Sequence, residues 1–158
     1  MRTKKTSSSV IKADASWKIG IVYSSFYKGE VGSMVDGARK VLKEAGISSK
    51  NITEHAVAGS FEIPLIGSAL SAEKKVDALI GLGIIVEGET HHAELIARET
   101  ARGIMDVQVH FGIPFAFEVL YVKKFSQAKA RSGGMQNTGE EAARVVLHSL
   151  AEIARLRS

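Results

Sequence analysis

Four apolar segments rich in β-branched residues, each followed by a segment with helical periodicity, constrain the fold of this chain more than any other feature. The strand-like segments are residues 18–24, 52–57, 76–86 and 114–122. The helix-like segments are residues 29–45, 61–73, 91–111, 126–131 and 140–156. Strands that alternate with helices indicate βαβ units, which build one parallel sheet with helices on both faces.

We therefore predict an α/β fold, a three-layer αβα sandwich with a four-stranded parallel flavodoxin-like sheet. Right-handed crossovers leave few other topologies. The 158 residues, 45% of them hydrophobic, suffice for one domain with one sizeable core. We assign residues 17–158 to this domain and predict that residues 1–16, rich in Ser and Lys, form a flexible basic tail.

Charge and composition exclude several classes of protein. The net charge is +4, but residues 1–18 hold five basic residues and one acidic residue, so the remainder carries 16 of each and offers no nucleic-acid surface. The chain has no cysteine, hence no disulfide or thiol nucleophile. No apolar run reaches the ~20 residues that span a bilayer, and the N-terminus has no secretory apolar region, so we expect a cytoplasmic protein.

Ligands of such sheets bind beyond the carboxyl ends of the strands. After the third strand, Gly88, Glu89 and Thr90 open the longest helix, and the free N–H groups of a helix start attract anions such as phosphate. An ordinary helix cap is the alternative interpretation. His91 and His92 follow, but adjacent helical residues point about 100° apart, so they do not share a metal.

The ends of the other strands carry polar and aromatic residues. A histidine beside an anion site, here His92, suits proton transfer, although a solvent-facing or core histidine is the alternative. Ser60, Phe61 and Glu62 follow the second strand, where a carboxylate can accept from the hydroxyls of a polyol or merely complement a helix dipole. Phe26 follows the first strand and can stack on a flat heterocycle or join the core.

Together these segments resemble the lumazine synthase family of riboflavin biosynthesis. The motifs are GSFEIP (residues 59–64), GLGIIVEGETHH (residues 81–92) and IPFAFEVL (residues 113–120), supported by SSFY at 24–27, by the arginine after QAKA and by a final NTGEEAA helix. The resemblance covers about residues 17–157. It implies condensation of 5-amino-6-(D-ribitylamino)uracil with 3,4-dihydroxy-2-butanone 4-phosphate to 6,7-dimethyl-8-ribityllumazine, with no metal, nucleotide or redox cofactor.

The same resemblance implies roles for individual residues. His92 matches the proton-transfer histidine, and Arg131 matches a phosphate-binding residue that reaches the site from a neighbouring subunit. The residues implied to bind substrate are Phe26 on the pyrimidine, Ser60, Phe61 and Glu62 on the ribityl chain, Ile84, Ile85 and Val86 on the uracil edge, Gly88, Glu89 and Thr90 on the phosphate, and Phe117 as an apolar wall.

The chain departs from the family pattern at four positions. Ala58 replaces a usual proline, Tyr27 an asparagine, Glu87 a common basic residue and Thr138 a lysine, which removes one cation near the phosphate. None of the implied catalytic residues is lost. The family also implies a homo-oligomer, either a pentamer or a shell of sixty subunits.

Three other functions remain open from the residues alone. A non-catalytic flavin- or lumazine-binding relative would keep Phe26, Ser60 and Glu62 but not the phosphate-handling residues. A riboflavin synthase of similar fold would not keep the GSFEIP and GETHH segments. A structural cage protein would assemble with incidental catalysis. Retention of His92 and Arg131 favours the lumazine synthase interpretation.

Overall fold

The computed structural model describes residues 11–158. Its strands are β1 (Ile19–Ser24), β2 (Ile52–Val57), β3 (Ala78–Val86) and β4 (Phe115–Val122). Its helices are α1 (Lys28–Glu44), α2 (Ile63–Ala72), α3 (His92–Phe111), α4 (Phe125–Arg131) and α5 (Thr138–Arg157). Short 3-10 turns occupy Ser49–Asn51, Ser60–Glu62 and Gly134–Gln136.

The four strands form one parallel sheet in the order β2-β1-β3-β4. Helices α1 and α5 cover one face, where Met34, Leu42 and Val146 are fully buried against the sheet. Helices α2 and α3 cover the other face through Ile63 and Ile104. The predicted three-layer αβα sandwich with a four-stranded parallel sheet is confirmed.

The main difference from the predicted elements lies after β2. A single helix was predicted over residues 61–73, but residues 60–62 form a 3-10 turn, closed by the Glu62 N–H donating to the Gly59 carbonyl at 3.1 Å. The α-helix begins only at Ile63, with Pro64 in its first turn, where the missing N–H costs no hydrogen bond. The tight turn therefore separates Ser60, Phe61 and Glu62 from the regular helix.

The NTG segment fixes α5 against α1. The Asn137 carboxamide oxygen accepts from the N–H groups of Gly139 and Glu140 at 2.8 and 3.3 Å, which caps the helix. Its amide nitrogen donates to the Ser33 carbonyl of α1 at 2.9 Å. Gly139 lies so close to the Met34 backbone that no Cβ would fit. Backbone contact here requires glycine.

The N-terminal segment crosses the end of α1. Of the predicted flexible tail, residues 1–10 lie outside the described residues. Within the remainder, the Ala13 N–H donates to the Ala45 carbonyl at 3.1 Å, and the Ala15 carbonyl accepts from the Ser48 N–H at 3.3 Å. In the described part of the chain, no helix has the length and apolar character needed to cross a bilayer.

Candidate functional site

Parallel strands end at the same edge of a sheet, so the segments that follow β1, β2 and β3 lie side by side. The turn after β1 is anchored from within. The Ser24 hydroxyl, almost fully buried, accepts from the Phe26 N–H at 3.2 Å. The Ser25 N–H and hydroxyl both donate to the carbonyl of Val57, the last residue of β2, at 2.9 and 2.7 Å. The turn is thus held firmly while the Phe26 ring remains 63% exposed.

Phe26 and Glu62 border one small space above Gly59. An ideal Cβ on Gly59 would lie 3.3 Å from Glu62 Oε2 and 3.5 Å from Phe26 Cε2. A ring carbon of Phe26 and a carboxylate oxygen of Glu62 therefore approach the same point, from two different strand ends. Phe61, on the same turn as Glu62, is 55% exposed. The structure brings Phe26 and Glu62 together at Gly59, and Phe61 lies on the adjoining turn.

Ser60 lies beneath this space and against β3. Its side chain is buried, and its Oγ occupies the place that a Cβ on Gly83 would need. Gly83 therefore allows the turn after β2 to pack directly on the middle strand. No group among the described residues forms a hydrogen bond with the Ser60 hydroxyl. A buried hydroxyl without a partner is unfavourable, so Ser60 retains unused hydrogen-bonding capacity at the base of the site.

The end of β3 leads to the start of α3. Ile84 is buried, whereas Ile85 and Val86 are half-buried and pair with β4. The loop that follows, residues 88–90, is exposed, and a Cβ on Gly88 would meet nothing within 4 Å. The Gly88 backbone therefore has open space on the side where a side chain would point.

The first turn of α3 places the two adjacent histidines differently. The Thr90 hydroxyl accepts from the His92 N–H at 3.3 Å, the capping contact that the alternative interpretation predicts. The His91 side chain is 94% exposed and its Nδ1 lies 3.7 Å from Glu94 Oε2. His92 begins the helix with its side chain exposed. Of the two, His91 faces a carboxylate on its own helix.

Two aromatic residues of β4 face the same side as α3. Phe117 and Tyr121 alternate with the residues that point towards α5 and are 44% and 42% exposed. Partial desolvation, with the charges of Glu87 and Glu94, raises the pKa of the Tyr121 phenol. Tyr121 therefore lies beside the start of α3. The family motifs in the sequence do not include Tyr121. Its position at the end of a strand was the sequence feature that could have identified it.

Arg131 lies on the other side of the sheet from α3. It is the last residue of α4, which packs through Ala128 into the core on the α1 and α5 face. Its Nη1 donates to the Gln127 carbonyl one turn earlier at 2.8 Å. The structure thus brings Phe26, Ser60 and Glu62 together, but not Arg131 and His92 of the same chain. Among residues 11–158, no group of three or more histidine and carboxylate side chains could hold a metal ion.

Comparison with known proteins relates this geometry to one family. The family model for 6,7-dimethyl-8-ribityllumazine synthase matches residues 16–154, which contain every residue of the site described above. The chain belongs to this family. The resemblance of its motifs to lumazine synthases is thereby confirmed.

Similarity to individual lumazine synthases extends over most of the chain. The protein of Stenotrophomonas maltophilia (strain K279a) is 34% identical over 147 residues, which cover 92% of this chain and 95% of the relative. The protein of Ruthia magnifica subsp. Calyptogena magnifica is 34% identical, covering 84% and 83%. That of Protochlamydia amoebophila (strain UWE25) is 35% identical, covering 84% and 78%. All three carry the name 6,7-dimethyl-8-ribityllumazine synthase.

Proposed function

We propose that this chain is a transferase that condenses 5-amino-6-(D-ribitylamino)uracil with 3,4-dihydroxy-2-butanone 4-phosphate, releasing 6,7-dimethyl-8-ribityllumazine, phosphate and water. The observation that carries the proposal is the convergence of the Phe26 ring and the Glu62 carboxylate above Gly59, in a chain of this family. A flat ring with a polyol chain needs both groups at once, an aromatic face for the ring and an acceptor for the hydroxyls.

The pyrimidine substrate would occupy the space between the ends of β1, β2 and β3. The exposed Phe26 ring stacks on the pyrimidine, and the backbone of Ile84, Ile85 and Val86 pairs with the uracil edge. Glu62 accepts from ribityl hydroxyls, and Ser60 offers a hydroxyl that has no partner among residues 11–158. Phe61 and Phe117 supply exposed apolar surface beside the ring.

The phosphate-bearing substrate would lie at the start of α3. Residues 88–90 leave their backbone open, and a helix N-terminus favours an anion. The Glu89 carboxylate must point away from the phosphate. The Arg131 guanidinium of a neighbouring subunit would add a charge-assisted contact. That assignment is supported by helix α4, which ends at Arg131 and packs through Ala128 on the α1 and α5 face, across the sheet from α3.

The reaction needs two bound reactants and one proton carrier. The 5-amine attacks the ketone and water leaves, forming a Schiff base. Loss of a proton next to the imine then expels phosphate, and the ribityl-bearing nitrogen closes the second ring with loss of a further water. His92 is exposed beside residues 88–90 and would accept and return these protons. Holding both reactants in one site supplies much of the acceleration.

Oligomerisation is part of the proposal. Leu95, Met105 and Val109 lie within one stripe of α3 and are 56%, 54% and 72% exposed, and Leu65 of α2 is 66% exposed. Arg98 and Arg102 lie in the same stripe of α3, so this face combines exposed apolar side chains with two guanidinium groups, a composition typical of a subunit interface. We propose a pentamer, alone or within a sixty-subunit shell, located in the cytoplasm as expected for a step of riboflavin synthesis.

The test is an assay of product formation. Purified protein is mixed with both substrates, and the fluorescence of the lumazine is followed against a protein-free control, since the reaction also proceeds slowly unaided. The proposal predicts acceleration that saturates with each substrate. No acceleration, combined with tight binding of a ribityl-pyrimidine analogue, would instead identify a non-catalytic binding relative.

A further inference from the structure

An aromatic pair joins the turn after β1 to the start of α4. The rings of Tyr27 and Phe125 are stacked, with centroids 5.1 Å apart and planes inclined by 26°. Both side chains remain more than a third exposed, so the pair lies at the surface of the carboxyl edge of the sheet. It connects two segments that belong to different parts of the proposed site.

The backbone of Tyr27 is held in an unfavourable conformation. Its φ of 54° and ψ of 54° lie in the left-handed region, which side chains other than those of glycine, asparagine and aspartate rarely adopt. Its carbonyl accepts from the Val31 N–H at 2.9 Å and so begins the first turn of α1. The conformation directs the Tyr27 ring away from Phe26 and onto Phe125.

Helix α4 is short and contributes one buried side chain to the core. It has seven residues, all of them described, and only Ala128 is buried. Gln127 closes its start locally, its Oε1 accepting from the N–H groups of Lys123 and Lys124 at 3.0 Å each. These bonds stay within the segment. The Phe125 ring ties the start of α4 to the turn after β1.

We propose that Tyr27 and Phe125 form a positioning pair for the phosphate-bearing substrate. Their stack sets the position of α4 and, at its far end, of the Arg131 guanidinium. Tyr27 is joined to Phe26 by one peptide bond. The stack therefore links Phe26, the pyrimidine-binding residue of one site, to Arg131, the arginine that this chain contributes to the neighbouring site. This inference rests on the proposed function and adds two residues to it.

The test separates positioning from mere stabilisation by comparing two Michaelis constants. Phe125→Ala should raise the KM for the butanone phosphate about five- to tenfold, while the KM for the ribitylaminouracil changes less than about twofold. Tyr27→Asn suits the left-handed backbone but removes the ring, and should give a similar increase. The double variant should be no worse than either single one, because both remove the same contact.

Two further variants act as controls. Tyr27→Phe keeps the stack and should behave as the unaltered protein. His110→Ala breaks another aromatic pair, with Phe111 at the far end of α3, and should leave both constants unchanged. If Phe125→Ala does not assemble, the same constants are measured for Phe125→Leu. Leucine keeps the apolar bulk but has no ring to stack on Tyr27.

Unchanged constants, or equal increases for both substrates, would overturn the inference, even if the melting temperature falls. The affinity for inorganic phosphate, measured by calorimetry on the assembled protein, gives a readout without catalysis. Weaker phosphate binding in Phe125→Ala supports the pair even if no lumazine forms, and unchanged phosphate binding contradicts it. Absence of lumazine formation by the unaltered protein contradicts only the proposed function.

Discussion

His92 is the first residue of α3, and its exposed side chain follows the open loop of residues 88–90. Removal of its imidazole should slow proton transfer without disturbing the pyrimidine pocket on β1 and β2. We expect His92→Ala to lower kcat about a hundredfold or more, unless solvent takes over the transfer and limits the loss to about tenfold. The affinity for a ribityl-pyrimidine analogue should persist.

The adjacent histidine provides the matched control for this prediction. His91 directs its Nδ1 to Glu94, 3.7 Å away, so His91→Ala should retain full activity. Steady-state kinetics of lumazine formation distinguish the two variants. Full activity in His92→Ala, or equal losses in both, would contradict the assignment.

Arg131 is a charged residue on a short surface helix, so its removal should spare the fold. Loss of one charge-assisted contact corresponds to about 1.5–3 kcal/mol. We therefore expect Arg131→Ala to raise the KM for the phosphate-bearing substrate about ten- to a hundredfold, with assembly intact.

Arg155→Ala is the control for Arg131→Ala, because Arg155 pairs with Glu152 on the exposed last turns of α5. It should leave that KM unchanged. A KM for the butanone phosphate that is the same in Arg131→Ala as in the unaltered protein would refute the role of this arginine.

At the scale of elements, the strands were the most predictable part of the molecule. Residues 52–57 were predicted as a strand and form β2, and the other three strands begin one or two residues later than predicted. The central strands β1 and β3 are read well from their β-branched runs because both of their faces are apolar, whereas the edge strand β2 is largely exposed. The observed strands begin later than predicted where a polar contact precedes them. Before β3, the Asp77 carboxylate accepts from the Lys18 N–H at 2.8 Å.

The features that escaped sequence analysis depend on contacts between distant segments. Apolar periodicity does not separate a 3-10 turn from the helix that follows it, so the turn at residues 60–62 was missed. The stack of Tyr27 on Phe125 and the bond from Asn137 to Ser33 join residues far apart in the chain. Phe26 and Glu62 were each candidates from the sequence. Only the three-dimensional structure shows that both border the space above Gly59.

The contact between the start of α5 and helix α1 is predicted to contribute to the stability of the fold. Asn137→Ala removes the cap of α5 and the bond to α1, and should lower the free energy of unfolding by about 1–2 kcal/mol. Gly139→Ala forces a Cβ into the Met34 backbone and should cost more, about 3 kcal/mol or above. Denaturant unfolding measures both.

Thr138 lies between these two positions and supplies the control. Its side chain is fully buried and its Oγ1 has no partner among the described residues. Thr138→Val should therefore be neutral or slightly stabilising. An Asn137→Ala variant as stable as the unaltered protein would show that Asn137 does not stabilise the contact between α5 and α1.

At the scale of the whole molecule, the exposed stripe of α3 that contains Leu95, Met105 and Val109 predicts how the assembly responds to a charged substitution at an apolar position. Val109→Lys places an ammonium on this stripe and should weaken association, which sedimentation or light scattering detects as a mass closer to the 17.0 kDa of one chain. Leu156→Lys changes an equally exposed residue near the end of α5 and should leave the mass unchanged. A Val109→Lys variant with the mass of the unaltered assembly would place the interface elsewhere.

The most direct test of the whole account is complementation between two impaired variants, assayed at a butanone phosphate concentration well below the KM expected for Arg131→Ala. Arg131→Ala and His92→Ala are coexpressed, mixed assemblies are purified, and the rate of lumazine formation is compared with that of each variant alone. If one chain supplies His92 and its neighbour Arg131, about a quarter of the sites in random mixtures contain both residues intact. We predict recovery of a corresponding fraction of the unaltered rate. Mixed assemblies no more active than the better single variant would contradict a catalytic site shared between subunits.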